Sequence, residues 1–261
     1  MSKNTVNNLF QSANEQGDIS DGAMQALQVV DVGNQIQEGL GVSVDDVTAS
    51  EVVLVTIMPD DSGSIRFSGN AQVVRDGHNL VIDALKQSKQ QDAILAHNRY
   101  LNGDVLYEFC TIDQAIKMDS NNYDPGLGTP LYDQTVLLLG TVLAKTQEFA
   151  DNGVPVRTVT LIITDGGDQC SNRATPSMVK KLVEDMLRTE NHIIAAMGID
   201  DGYTDFRQVF EEMGIPDNWI LTPGNNESEI RKAFQVFSQS AVRVSQSAQN
   251  FSQTAIGGFG A

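Results

Sequence analysis

Glu51-Val52-Val53-Leu54-Val55-Thr56-Ile57-Met58-Pro59-Asp60-Asp61-Ser62-Gly63-Ser64 is the stretch that decides the fold. From Val52 to Met58 it is almost continuously apolar and rich in β-branched residues. It lacks the in–out alternation of a half-wetted strand, so it predicts a central strand buried on both faces. Pro59 interrupts the run just before a loop of small and acidic residues. Beyond that loop, Val73, Val74, Leu80, Val81, Ala84 and Leu85 predict a helix over about 70–88. A second run of the same buried kind, Val156 to Thr164, ends Thr160-Leu161-Ile162-Ile163-Thr164-Asp165.

Between and after these two runs, helical and extended patterns alternate. Residues 92–101 and 104–111 read as two strands, and Asn102-Gly103 between them is a strong hairpin signal. Leu131 to Phe149 reads as a helix. The series closes with a helix at about 176–189, a strand at 192–199, a helix at 204–213 and a short strand at 218–222. Such alternation predicts an α/β, Rossmann-like architecture: a mostly parallel central sheet, one antiparallel edge strand from the hairpin, and helices on both faces.

The two ends of the chain have different patterns. Residues 1–45 are expected to form a helical arm. Val6, Leu9, Phe10 and Ala13 lie on one helical face, and Asp18 to Asp21 offer cap chemistry before Met24, Leu27 and Val30. The simpler reading is that this acidic arm packs on the flank of its own domain, assigned to 46–250. Ile230, Phe234, Phe237, Ala241, Val244, Ala248 and Phe251 are spaced 4, 3, 4, 3, 4, 3, a seven-residue apolar repeat. That repeat could cover the sheet and, in its distal half, support self-association. Residues 251–261 are assigned as a Gly-rich tail, in which Ile256-Gly257-Gly258-Phe259-Gly260-Ala261 is expected to lack regular structure.

The 261 residues include 17 Lys+Arg against 34 Asp+Glu, a formal charge of −17, with 41% hydrophobic and 20% charged residues. This is a globular composition. Its acidity argues against gripping nucleic acid, which needs a basic face, and against docking on anionic membrane. No run of about 18 apolar residues predicts a membrane span. The opening Met1-Ser2-Lys3-Asn4-Thr5-Val6-Asn7-Asn8 shows no basic and apolar export pattern, and Cys110 and Cys170 are too few for a disulfide framework. A cytoplasmic chain is the expectation.

Three loops gather oxygen side chains at strand ends or helix starts: Asp60-Asp61-Ser62-Gly63-Ser64, Gly126-Leu127-Gly128-Thr129-Pro130-Leu131, and Thr164-Asp165-Gly166-Gly167-Asp168. In an open α/β sheet, ligands bind outside the carboxyl ends of the strands. Asp60, Ser62, Ser64, Thr129 and Asp165 would supply two carboxylates and three hydroxyls there. These are hard donors, without imidazole or thiolate. They suit Mg²⁺, with Mn²⁺ or Ca²⁺ as alternatives, better than zinc or copper. Asp61 adds a charge beside the set, while Asp133 and Asp168 read as solvated surface acids rather than as supports of the site or a neighbouring cation site. His78, His97 and His192 have no catalytic partner in the pattern; His97 and His192 read as structural, and Cys170 as incidental.

In order and placement, Asp60-x-Ser62-x-Ser64 with Thr129 and Thr164-Asp165-Gly166 resembles the metal-ion-dependent adhesion site of von Willebrand factor A domains. The resemblance covers about residues 50–245 and is similar to the intracellular bacterial branch of that family. Ala233-Phe234-Gln235-Val236-Phe237-Ser238-Gln239-Ser240 is loosely similar to the ends of its tellurium-resistance-associated members. Departures are Met58-Pro59, Asp61, and Ile65 where Met is common. The resemblance implies metal coordination by Ser62, Ser64 and Thr129, with Asp60 and Asp165 direct or through water. It also implies a bound cation that accepts an Asp or Glu from a partner protein. An acidic chain doing this would favour a partner with basic surface nearby. Two readings stand beside it: a scaffold subunit with the metal as a fixed strut, and a metal-assisted phosphohydrolase with Asp61 as base. The second expects another carboxylate-rich metal position, and neither a nucleophile elbow nor a phosphate-binding glycine loop is present. A non-enzymatic chain is therefore expected.

Overall fold

The Val52–Met58 run forms β1, third in a six-stranded sheet, in a computed structural model that describes residues 3–29 and 33–260. Every residue of β1 is buried. The other strands are β2 (Ile94–Arg99), β3 (Val105–Thr111), β4 (Val156–Thr164), β5 (His192–Gly198) and β6 (Ile220–Leu221), in the order β3-β2-β1-β4-β5-β6. All neighbours are parallel except β2 and β3. The β2–β3 hairpin turns at Asn102-Gly103, where Gly103 has φ +105° and its N–H bonds the Tyr100 carbonyl at 2.9 Å. That backbone conformation favours glycine because it has no Cβ. The antiparallel strand at the edge and the mostly parallel centre agree with the sequence reading.

Outward growth from β1 in opposite directions, with right-handed crossovers, places helices on both faces. One face carries α5 (Ala71–Lys86), packed side by side with α9 (Glu227–Gln246). They approach closely because Gly77 lacks a side chain; a Cβ there would stand 2.1 Å from the Phe234 ring. The opposite face carries α6 (Leu131–Asp151) and α7 (Pro176–Arg188). The short helices α4 (Gly63–Phe67) and α8 (Phe206–Glu212) follow β1 and β5. Among the described residues no helix is long and apolar enough to cross a membrane.

The arm folds as α1 (Lys3–Glu15), α2 (Asp21–Val29) and α3 (Gly33–Gly39). It lies on α6 and α7 of its own chain. The cause is visible in α6, which is buried without interruption from Thr135 to Phe149 and so needs apolar cover on the side away from the sheet as well. Val6, Phe10, Leu27 and Ile36 provide that cover, and Gly140 lets Leu27 and Ile36 come within about a van der Waals contact of the α6 backbone. Polar ties fasten the arm: Ser20 Oγ donates to Asp185 at 2.5 Å, the buried Lys145 donates to the Val42 carbonyl, and Arg99 donates to the Gln35 carbonyl. Val30, which falls in the expected arm pattern, lies outside the described residues.

Two expectations for the C-terminal end fail. The apolar repeat is not one helix. At Ser247 the chain turns extended (φ −168°, ψ 160°), and its side chain caps α10 (Ala248–Gly257) through the Asn250 N–H. A polar Ser at that point offers a cap, and a cap ends one helix as it starts the next. The repeat residues from Ile230 to Val244, and Phe251, are buried inside the chain, while Ala248 of the repeat is exposed. Nor is the glycine-rich end irregular over its described residues, 256–260. Helix α10 runs to Gly257 and a 3₁₀ turn covers Gly258–Gly260. The Phe259 ring meets Trp219 edge-on at 4.8 Å, and Trp219 Nε1 donates to the Ala255 carbonyl at 3.2 Å. Burial of Phe251 and the Trp219–Phe259 contact outweigh the weak helical propensity of the glycines.

Candidate metal centre

β1 and β4 are adjacent and in register up to Met58 opposite Ile162, so the loops after them leave the sheet side by side. Asp60 is fully buried at the first exit. Its Oδ1 accepts the Ser62 N–H at 2.7 Å, which curls the loop back, and its Oδ2 accepts the Thr164 hydroxyl at 2.7 Å and the Asp165 N–H at 3.3 Å. One carboxylate thus ties the first loop to the third. The Ser62 and Ser64 hydroxyls are 2.8 Å apart, and Ser64 Oγ donates to Asp165 Oδ1 at 2.5 Å. Ser62, Ser64 and Asp165 therefore form a continuous row of oxygens.

The second loop is laced to the first by backbone bonds. Gly126 and Leu127 N–H groups donate to the Asp61 carbonyl at 2.8 and 3.2 Å, and Gly63 N–H donates to the Leu127 carbonyl at 2.9 Å. The Thr129 carbonyl accepts the Gln169 N–H at 3.0 Å from the third loop. Cys170 is exposed, and its sulfur would lie 2.6 Å from a Cβ on Gly128, so glycine there lets the third loop close against the second. The result places Thr129 beside the serines: a Cβ on Gly166 would stand 3.9 Å from both Ser64 Oγ and Thr129 Oγ1. All five candidate residues are brought together.

Their electrostatics are unusual for a surface cluster. Burial pushes the Asp60 carboxyl above its ordinary range, against hydrogen bonds from Ser62 and Thr164 that favour the charge. Burial also pushes Asp165 up to about 6, with the Ser64 bond opposing and the Asp60 charge adding to it. Among the described residues, no Lys, Arg or His forms an ion pair with either carboxylate. Buried carboxylates without a positive partner are costly. A divalent cation would supply the missing charge, and hard hydroxyl and carboxylate oxygens are the donors it takes. Among the described residues no three His, Cys, Asp or Glu side chains group into a metal cage. The cluster departs from that pattern because most of its donors are hydroxyls.

Three acids near the site are tied to backbone N–H groups. Asp61, the charge beside the set, is buried, with Oδ1 accepting the Asn102 N–H of the hairpin at 3.0 Å, and burial raises its pKa to about 7. Asp133 is half-buried rather than fully solvated. Its carboxylate accepts the N–H groups of Asn172, Arg173 and Ala174 at 3.1, 3.2 and 2.6 Å, pinning the segment after the third loop to the start of α6. Asp168 accepts the Tyr132 N–H at 3.3 Å in the same junction. Tyr123 escaped notice: its buried hydroxyl donates to the Asp60 carbonyl, bracing the metal loop from below. A lone tyrosine 63 residues downstream carries no local signal of that contact. The three histidines are structural. His78 meets the Tyr107 hydroxyl at 2.9 Å, His97 the Tyr107 carbonyl at 2.9 Å, and His192 the Thr158 hydroxyl at 2.7 Å.

No family model and no curated protein matches the chain. Solved structures do. Over 75% of this chain, it superposes on the pilus adhesin SpaC from Lactobacillus rhamnosus GG in its open conformation, with TM-score 0.54 at 13% identity. Proximal thread matrix protein 1 from the mussel byssus gives 0.51 at 17% identity over 75% of the chain. A von Willebrand factor type A structure from Catenulispora acidiphila gives the same values, 0.51 at 17% over 75%. The match spans 30%, 48% and 44% of those three chains, less than half of each. With the sheet order, the single antiparallel edge and these superpositions, the chain has the von Willebrand factor A fold.

Proposed function

We propose that this chain is a divalent-cation-dependent protein-binding domain. Ser62, Ser64 and Thr129 would hold the ion through their hydroxyls, with Asp60 and Asp165 acting directly or through water. When bound, the ion supplies an electrophilic centre with room for one outside carboxylate, and the partner protein contributes an Asp or Glu there. Mg²⁺ is the first candidate, with Mn²⁺ and Ca²⁺ as alternatives of the same hard class. The observation that carries this reading is the pair of buried carboxylates, Asp60 and Asp165, set against three hydroxyls with no basic partner among the described residues. The protein's own residues supply the preorganisation. Asp60 fixes both loops through three accepted bonds, and Tyr123 holds the Asp60 carbonyl.

The negative total of −17 favours a partner that also carries basic surface. Free Cys110 and Cys170, the latter exposed, suit a reducing compartment such as the cytoplasm. We read the site as non-catalytic, because the acids that would build a second metal position, Asp133 and Asp168, are committed to backbone N–H groups. Titration calorimetry with MgCl₂ tests the reading at its root. Wild type should bind one ion and Asp165→Ala none; equal binding by both proteins would overturn it.

A further inference from the structure

Among the described residues only six large apolar side chains are exposed, and three of them stand on segments at the same end of the sheet as the candidate metal centre: Leu127 (57% exposed) on the second loop, Phe67 (90%) at the end of the helix after the first loop, and Tyr203 (97%) on the loop after β5. Phe67 ends α4, and its ring lies 3.5 Å from where a Cβ on Gly63 would be, so it flanks the Ser62–Ser64 segment. Leu127 is the bridge partner of Ser62, and its carbonyl holds the Gly63 N–H. Tyr203 lies in the loop after β5. A Cβ on Gly167, in the third loop, would stand 3.9 Å from the hydroxyl of the neighbouring Thr204.

These side chains are bare, but their backbones are fixed. The Leu127 segment is held by N–H bonds to the Asp61 carbonyl. The Tyr203 turn is locked by Asp200, which accepts the Gly202 N–H at 2.8 Å, and by Asp201, which accepts the N–H groups of Tyr203 and Thr204 at 2.9 and 2.7 Å. Apolar groups presented on preorganised backbone lose little entropy on docking, and aromatic residues of this kind dominate interface energetics. The Tyr203 loop is acidic, carrying Asp200 and Asp201, whereas Asp124 beside the second loop is already paired with Arg66 at 2.7 Å.

We propose that Phe67, Leu127 and Tyr203 form an apolar collar around the metal centre that selects protein segments in which an Asp or Glu is flanked by apolar or aromatic residues. The proposal rests on the metal-dependent reading above. Charge complementarity defines the occupant further. The carboxylate goes to the cation, the apolar flanks to the collar, and a basic residue beyond them to the Asp200–Asp201 side.

The test pans a random dodecapeptide display library on the purified full chain in MgCl₂, and in parallel in chelator. The same panning is run on a triple variant, Phe67→Ser, Leu127→Ser and Tyr203→Ser. All three side chains are exposed, so the variant should keep the wild-type circular dichroism spectrum and Mg²⁺ affinity. The expected result is Mg²⁺-dependent peptides with an acid between apolar residues, whose affinity falls tenfold or more on the triple variant. Mg²⁺-dependent acidic peptides with no apolar preference, or with equal affinity for the variant, overturn the collar and leave the proposed function standing. No Mg²⁺-dependent selection by wild type overturns both. Mg²⁺-dependent dimerisation in sedimentation, abolished by the triple variant, would put a second copy of this chain on the collar and overturn the peptide occupant.

Discussion

Replacing Asp165 by Asn should make the protein more stable without metal and less stable with it. In the folded, metal-free chain, burial raises the Asp165 pKa from 3.8 to about 6. The folded state then holds the proton more tightly than the unfolded state. Stability is therefore greatest below pH 4 for this group and falls as pH rises through 6. Above that, the ionised carboxylate costs about 3 kcal/mol, taking about 1.4 kcal/mol for each tenfold step. Asn removes that charge and keeps an oxygen for the Ser64 hydroxyl, which now donates at 2.5 Å. For 261 residues an unfolding entropy of about 0.55 kcal/mol/K follows from typical per-residue values, so about 3 kcal/mol is about 5 °C in Tm. In chelator at pH 8, Asp165→Asn should melt up to about 5 °C above wild type. Mg²⁺ at 1,000 times its Kd adds about 4 kcal/mol to wild type, or about 7 °C, and nothing to the variant, so the order reverses. Differential scanning calorimetry with and without Mg²⁺ reads both arms. If Asp165→Asn melts below wild type by the same amount in chelator and in Mg²⁺, the carboxylate is a structural hydrogen-bond acceptor and the charge argument fails.

Other parts of the fold give independent expectations. Gly77→Ala places a methyl 2.1 Å from the Phe234 ring, so α5 and α9 must separate; a loss of about 1–3 kcal/mol in urea unfolding is expected. His192 is buried, and burial lowers its pKa to about 3, so the stability tied to its neutral form is present above 6.5 and lost as pH falls below that. The stability advantage of wild type over His192→Gln should shrink by about 2 kcal/mol between pH 7.5 and pH 5 in paired urea titrations. Removal of residues 247–261 strips Phe259 and the Ala255 carbonyl from Trp219, the sole tryptophan, so its fluorescence should shift to the red. An unchanged spectrum would mean that α10 does not dock there in solution.

Agreement between sequence and structure is best where local chemistry leaves few options. Val52–Met58 and Val156–Thr164 are strands buried along their full length, as continuous β-branched runs demand. Asn102-Gly103 turns a hairpin because the backbone there needs φ above zero. Asp60, Ser62, Ser64 and Asp165 meet because β1 and β4 are neighbours whose ends face the same way, and Thr129 joins them through the backbone bonds that lace its loop to the other two. Errors fall where a side chain's fate depends on a distant segment. Nothing in the sequence shows that Asp61 accepts the hairpin N–H of Asn102 at 3.0 Å, and Asp133 reads as a solvated acid until three N–H groups of 172–174 close on it.

By itself, then, the sequence determined the alternation of strands and helices, the hairpin, and a set of hard oxygen donors placed at strand ends. These follow from backbone preference and from side-chain periodicity, which act over a few residues. Only the tertiary structure decided that the acidic arm covers α6, that the apolar repeat breaks at Ser247, and that Asp60 and Asp165 are buried without a basic partner among the described residues. Burial and desolvation belong to the whole packed chain. A carboxylate raised to about 6 at Asp165 is a property of what surrounds it, and no spacing within a single loop encodes it.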